Sequence, residues 1–262
     1  MKIPSSFEEK CKNKQILYYI HVPSTGGTYL KKHVFKNEKN VAWFGKFSNQ
    51  KYDHHPCGLT SPIVYLGSRN HSQTYKFDNL FMHPNSLIFS SIRNPFDQYV
   101  SSYLITRENE MPNITFDDFI NIVCNVNFKP SLNFGESFYL STKFMFYQMF
   151  DDNGKCHVDF VLRMEELNSG LKLLTNKLNI DCTLEGSSKN PPSMWGQRRI
   201  KQGREKKDYR SFYTEKSFDL VQQRRHRELN AFGYTFDGYD DRIIIDPKNI
   251  YYVNNTDLLT II

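Results

Sequence analysis

Two short stretches of this chain gather glycines, hydroxyls and an arginine at spacings that hold an anion. The first, Ile16 to Leu30, reads ILYYIHVPSTGGTYL: an apolar, β-prone run breaks at Pro23, Gly26 and Gly27 and continues into a helix-compatible segment. Strand, tight glycine turn and helix N-terminus make an anion cradle, because uncapped backbone N–H groups and the positive end of the helix dipole converge there. A Gly-Gly pair alone is also what an ordinary turn looks like. Thr28 follows Gly27 directly, with no Lys before it, so the pattern is not a nucleoside-triphosphate P-loop. The second stretch runs SLIFSSI from Ser86 to Ile92, then Arg93-Asn94-Pro95, then FDQYVSSYL from Phe96 to Leu104. Pro95 suits a first helical turn, and Phe96, Val100, Tyr103 and Leu104 fall on one helical face. Arg93 then stands at a strand end and Ser101 about two turns into a helix, where a guanidinium fork and a hydroxyl can clamp one phosphate.

Elements able to position these groups recur along the chain. Strand-like runs at Ile16–Val22, Leu87–Ile92 and Val158–Leu162 alternate with helical segments at Phe116–Cys124, Ser141–Phe150, Gly170–Leu178 and Glu215–Phe232. That alternation predicts an α/β fold with a central parallel sheet flanked by helices. A chain of 262 residues is long enough to bury a full core, and one domain spanning 1–262 is expected. No internal repeat is evident. Asn113 to Asn133 and Lys189 to Lys207 are the expected places for insertions and motion. Past Gly238, β-branched and aromatic residues predict an added strand or hairpin, covering a sheet edge or joining a partner chain.

Taken together, the two stretches resemble a known family. IHVPSTGGTYL resembles the 5′-phosphosulfate loop, and RNPFDQYVSSY the 3′-phosphate motif, of sulfotransferases that use 3′-phosphoadenosine 5′-phosphosulfate (PAPS). The style is that of the carbohydrate sulfotransferases, the heparan sulfate enzymes included, and of their bacterial and viral relatives. Those proteins carry Pro-Lys-Thr-Gly-Gly-Thr first, then Arg-(Asn/Asp)-Pro with a Ser eight residues after the Arg; Arg93 and Ser101 keep that spacing. Val158 to Leu167, VDFVLRMEEL, resembles the family's late strand ending in Arg-x-Glu-x-Leu, and Asp208–Tyr213 with Glu228–Gly238 resembles its C-terminal end. The resemblance covers about Gln15 to Gly238 and leaves 239–262 as an extension.

That resemblance implies a P-loop-like three-layer α/β fold and sulfuryl transfer from PAPS to an acceptor hydroxyl. Adenosine 3′,5′-bisphosphate is released and no metal is needed. Ser24, Thr25, Gly26, Gly27, Thr28 and Tyr29 would hold the 5′-phosphosulfate, and Arg93 and Ser101 the 3′-phosphate. One position departs from the family: its first-motif lysine, which steadies the departing oxygen, is Ser24 here. One such missing electrostatic contact costs a factor of about a hundred or more. Another cation substitutes, or transfer is slow, or the protein binds without catalysing. Lys31 and Lys32 stand nearby in sequence, about a turn into the helix, where a solvated face is the plainer account.

Sulfuryl transfer needs a base for the acceptor proton, and histidine suits it because its pKa lies near working pH. His54, His55, His71 and His83 lie between the two motifs. His54-His55-Pro56 resembles the paired-His segment of several relatives, which ranks His54 first and His55 second. Lys189 to Lys207, KNPPSMWGQRRIKQGREKK, reads as a basic flap. Its Trp195 can stack on a base and Arg198 or Arg199 can reach a phosphate, and the same residues suit an anionic polysaccharide acceptor. A solvated basic loop explains them equally well.

The formal net charge of +6, from 34 Lys and Arg against 28 Asp and Glu, is mild for a dedicated nucleic-acid binder. No zinc-finger, RNP or basic-zipper pattern appears, so nucleic acid is excluded as the main partner. Polyanion binding stays open, supported by the run Gln222 to Arg227, QQRRHR. The expected acceptor is hydroxyl-bearing, a saccharide first; a non-catalytic nucleotide or polyanion binder is the first rival and an NTP-dependent phosphotransferase the second. Five cysteines, with no Cys-x-x-Cys pair, indicate neither a zinc site nor a disulfide framework. No run of about 18 apolar residues appears and the N-terminus lacks a signal-peptide core. A soluble, cytoplasmic enzyme of bacterial or viral type is therefore expected, with a trimmed Golgi lumenal domain as the alternative. Oligomeric state is left open.

Overall fold

The structure is a computed structural model that describes residues 16–20, 22, 25–27, 30, 41–44, 63–66, 86–125, 149–150, 155–178, 207–243, 245–253 and 258–261. Strands β1 (Ile16–Ile20), β2 (Val41–Phe44), β3 (Ile63–Leu66), β4 (Ser86–Ile92) and β5 (Phe160–Arg163) form one sheet in the order β2-β3-β1-β4-β5. Every pairing in it is parallel. Register sets Tyr18 beside Ile88, and Tyr19 beside Phe89, which in turn pairs with Phe160. The chain leaves β1 toward β3 and β2 and then crosses to β4 on the other side, so β1 and β4 flank the point where strand order reverses. In open α/β sheets that crevice, at the carboxyl ends of the strands, is where ligands bind.

Helices α1 (Pro95–Asn109), α2 (Phe116–Val123), α3 (Leu167–Lys177) and α4 (Glu215–Phe232) cover the two faces. Tyr18, Ile20, Ile88, Ile92 and Val161 share one buried cluster with Phe96 and Tyr99 of α1, Phe119 and Ile120 of α2, and Val221, Leu229 and Phe232 of α4. Leu17, Tyr19, Leu87, Phe89, Phe160 and Leu162 point the other way by strand alternation. They are buried without joining that cluster, as are Leu167, Leu171 and Leu174 of α3, which packs on β5. The result is helix, sheet, helix: an α/β fold with a parallel sheet flanked by helices.

Local chemistry explains where these elements start and stop. Asn94 caps α1 by accepting from Phe96 N–H at 3.0 Å, Pro95 fills the first helical position and Asp97 stands in the first turn. Thr115 caps α2, and Thr214 with Ser217 forms a reciprocal capping box on α4. Gly233 ends α4 at φ +68°, where a Cβ would stand 2.9 Å from Ile243 Cβ. Only glycine meets both conditions there.

Several sequence boundaries move. The strand expected at Val158 starts at Phe160 because Asp159 takes the ladder position: its Oδ2 accepts from Ile88 N–H at 2.9 Å while its own N–H donates to Ile88 O. The helix expected from Gly170 starts at Leu167. Residues 113–125, expected to be a site of insertion and motion, hold α2, whose Phe116, Phe119, Ile120 and Val123 are buried. Phe150, expected to end a helix, instead bridges Cys156 in antiparallel fashion. Past α4, β6 (Tyr234–Thr235) pairs with β7 (Gly238–Tyr239), and β8 (Ile250–Val253) pairs antiparallel with β9 (Leu258–Ile261), the hairpin foreseen beyond Gly238. β9 lies against α4.

Candidate active site

The turn after β1 is built around a buried hydroxyl. Thr25 is fully buried; its Oγ1 donates to Val22 O at 2.8 Å and lies 2.9 Å from Ser91 Oγ, which is 2.8 Å from Tyr19 Oη. Each hydroxyl has one proton, so the direction of the chain follows: Thr25 spends its proton on Val22, Ser91 donates to Thr25, and Tyr19 donates to Ser91. Burial pushes the Tyr19 phenol far above its usual value, which keeps that proton in place. The Thr25 hydroxyl, expected to line an anion site, is thus committed to the sheet. What the turn offers a ligand is backbone. Gly26 adopts φ +94° and its carbonyl accepts from Leu30 N–H at 3.0 Å, so a helical turn opens at Gly27. A Cβ at Gly26 would stand 3.0 Å from Leu167 Cδ2, so both the dihedral and the space demand glycine. The first N–H groups of such a turn have no partner within the helix and point outward.

The turn after β4 lies alongside, on the adjacent strand. Arg93 follows Ile92 directly, is 8% exposed, and donates from Nε to Asp97 Oδ2 at 2.7 Å. Ser101 stands half-buried on α1, eight residues on. Ser91, the last but one residue of β4, bonds to Thr25 and so joins the two turns at their base. Arg93 and the glycine turn are therefore brought to the same end of neighbouring parallel strands, at the reversal of strand order.

Asn94 is a working part of this site that the motif reading passed over as a spacer. Besides capping α1, its Nδ2 donates to Thr235 O at 2.7 Å and Gly238 O at 3.2 Å, which fixes the β6–β7 hairpin against the Arg93 turn. Its N–H donates to Glu165 Oε1 at 3.3 Å, and Glu165 Oε2 accepts from Tyr234 Oη at 2.9 Å. Arg163, two residues earlier, donates to Phe232 O and Ile243 O and lies over the Tyr239 ring at 4.8 Å. The available signal was the Arg-x-Glu spacing: Arg163 ends β5 on one side and Glu165 reaches the donor turn on the other.

Burial raises the Glu165 carboxyl above the usual glutamate value, opposed by hydrogen bonds from its own backbone, Tyr234 and Asn94 and by the Arg93 charge. The folded protein therefore holds this proton to higher pH than the unfolded chain does. Its contribution to stability falls as pH rises from about 4.3 through the raised value and levels off above it. Glu165→Gln keeps both hydrogen bonds, its amide oxygen accepting from Asn94 and its amide nitrogen donating to Tyr234. The variant is expected to flatten that part of the curve, read as denaturant midpoints across the acid range; parallel curves for the two proteins would contradict this.

Ser24, Thr28, Tyr29, Lys31, Lys32, His54, His55, Trp195, Arg198 and Arg199 lie outside the described residues. One basic cluster is corrected. Arg225, expected within a polyanion-binding run, is fully buried, with Nε donating to Tyr99 Oη at 2.7 Å and Nη1 to Glu228 Oε1 at 2.8 Å. It belongs to the α1–α4 interface and not to a surface patch. Among the described residues no group of His, Cys, Asp or Glu is arranged to hold a metal ion, and no helix is long and apolar enough to cross a membrane. Cys124 and Cys156 are buried free thiols.

A parallel sheet whose two neighbouring strands both end in anion-binding turns, at the point of strand reversal, defines an α/β protein of the phosphate-binding class. Residues 10–240 match the Sulfotransferase family, and the chain belongs to that family. It is a sulfotransferase, whose reaction calls for a hydroxyl acceptor. No curated protein matches it in sequence. Among solved structures it is similar to a sulfotransferase from Alicyclobacillus acidocaldarius, at 11% identity and TM-score 0.37, covering 82% of this chain and 97% of that one. It is also similar to mouse sulfotransferase SULT7A1, crystallised with PAP, at 15% identity and TM-score 0.42, covering 85% and 90%.

Proposed function

We propose that the protein transfers the sulfuryl group of PAPS to a hydroxyl of a saccharide, the whole chain acting as one domain with 239–262 appended. The observation that supports this best is the pairing of two anion sites on neighbouring strands, the Gly26–Gly27 turn and Arg93, tied by the Ser91–Thr25 hydrogen bond of 2.9 Å. PAPS is a nucleotide with two separated anionic groups. The glycine turn, with Ser24, Thr28 and Tyr29 around it, holds the 5′-phosphosulfate; Arg93 and Ser101 hold the 3′-phosphate, with Arg198 or Arg199 closing over it. The acceptor oxygen attacks sulfur in line, forming one S–O bond while the S–O bond to the 5′-phosphate breaks. Adenosine 3′,5′-bisphosphate leaves, and the acceptor proton passes to a base, His54 first and His55 second. Backbone N–H groups at the helical turn face the negative charge that builds on the leaving group.

Calorimetric titration tests the donor half. Adenosine 3′,5′-bisphosphate is expected to bind far more tightly than 5′-AMP or ATP. Preference for ATP would instead support a phosphotransferase, and binding of none of the three would leave a polyanion binder, the reading that Ser24 in place of the family's lysine favours. His54→Ala is expected to lose turnover with binding kept; unchanged turnover in both His54→Ala and His55→Ala would overturn the base assignment.

A further inference from the structure

Arg93 comes with an acid that grips it from behind. Its Nε–Asp97 Oδ2 contact of 2.7 Å spans one helical turn across the β4–α1 junction, with the two side chains 9% and 29% exposed. Exposed pairs at this spacing do little, since solvent screens them and two long side chains must be ordered. Here burial has already ordered the arginine, and Asp97 is short and stands in the first turn of α1, where the helix dipole favours an acid. A guanidinium is planar, so a bond at Nε fixes its plane and rotation together. The edge carrying Nη1 and Nη2 is then the one that can meet two oxygens of a tetrahedral anion side by side.

We propose that Asp97 is a positioning residue of the donor site: it sets the Arg93 guanidinium for the 3′-phosphate and so sets how strongly the protein tells a 3′-phosphorylated nucleotide from one that lacks it. This rests on Arg93 as the 3′-phosphate ligand. Asp97 does not touch the nucleotide, and its charge opposes that of the phosphate. Orientation and charge therefore act in opposite directions, and side-chain replacements separate them. Asp97→Ala frees the guanidinium, and ordering it at the moment of binding weakens the complex. Asp97→Asn keeps an oxygen within reach of Nε and removes the repulsion.

The test is the ratio of the dissociation constants of 5′-AMP and adenosine 3′,5′-bisphosphate, measured by calorimetry on the full chain. A merely structural role in capping α1 would shift both constants together and leave the ratio unchanged. Asp97→Ala is expected to lower the ratio about five- to tenfold, the cost of immobilising one long side chain on binding. Asp97→Asn is expected to keep or raise it. Should Asp97→Ala not fold, Asp97→Ser, whose hydroxyl is too short to reach Nε, replaces it in the comparison. Arg93→Ala runs alongside: if it lowers the ratio and Asp97→Ala does not, the positioning role is wrong and the donor site stands. If neither changes the ratio, the assignment of Arg93 falls and the role of Asp97 with it.

Discussion

Arg93→Ala is expected to weaken binding of adenosine 3′,5′-bisphosphate by about a hundred- to a thousandfold while leaving 5′-AMP nearly unchanged. Two losses add. A bidentate arginine–phosphate contact supplies two charge-assisted hydrogen bonds, each worth about 1.5–3 kcal/mol in a sheltered site. The arginine is 8% exposed, so water replaces it poorly. Its removal also strips the compensating charge from Asp97, paired to it at 2.7 Å, and from Glu165, whose carboxyl feels it. Both acids then face the incoming phosphate. Arg93→Lys keeps a cation but not the planar fork and is expected to fall between the two. With PAPS as donor the loss belongs in KM more than in kcat, because the 3′-phosphate does not change charge as sulfur moves. Equal affinity of wild type and Arg93→Ala for the bisphosphate would remove Arg93 from the site.

The parts of the site that read out of the sequence are those in which one local segment decides the geometry. β1 and β4 are apolar runs that end at turn residues, and the Asn94-Pro95 cap starts α1 at the only place it can start. β2 and β3 were not seen: VAWF and IVYL are four residues each, too short for a period to show, and they exist because β1 offers an edge to pair with. Asn94 looked like a spacer since its partners, Thr235 O, Gly238 O and the Glu165 carboxylate, are 71 or more residues away. Thr25 looked like a ligand because its neighbours in sequence are ligands; the fold turns its hydroxyl to Ser91 instead. Arg225 carried a signal that composition hid. Val221, Arg225, Glu228 and Phe232 recur at helical spacing and share the buried face of α4. Reading the segment by charge placed Arg225 in solvent; reading it by period would have placed it in the core.

That burial makes Arg225 the residue whose loss should cost most in stability. Its guanidinium is fully enclosed, with Nε on Tyr99 Oη at 2.7 Å, Nη1 on Glu228 Oε1 at 2.8 Å and its carbon 5.3 Å from the centre of the Tyr99 ring. Burial pushes the Tyr99 phenol well above its usual value, so it accepts from the arginine as a neutral group. Glu228 is then the one anion that balances the buried cation within this knot, at 3% exposure. Arg225→Ala leaves that carboxylate enclosed with its partner gone, and breaking such a pair costs about 3–5 kcal/mol. For a chain of this size each kcal/mol moves the melting temperature by about 2–4 °C, so a fall of about 10 °C is expected by calorimetry. Removing the charges together should cost far less, since the desolvation they required disappears with them: Arg225→Met with Glu228→Leu, and Tyr99→Phe to spare the phenol, is expected to recover most of the loss. A single variant that melts within a degree of wild type would mean that water reaches the pair. Tyr99 lies on α1 between Arg93 and Ser101, so this knot also holds the helix whose start and second turn carry the 3′-phosphate ligands. Arg225→Ala should therefore raise the KM for PAPS even below its melting transition, and the repacked triple variant, with α1 again held by contact, should bring it back.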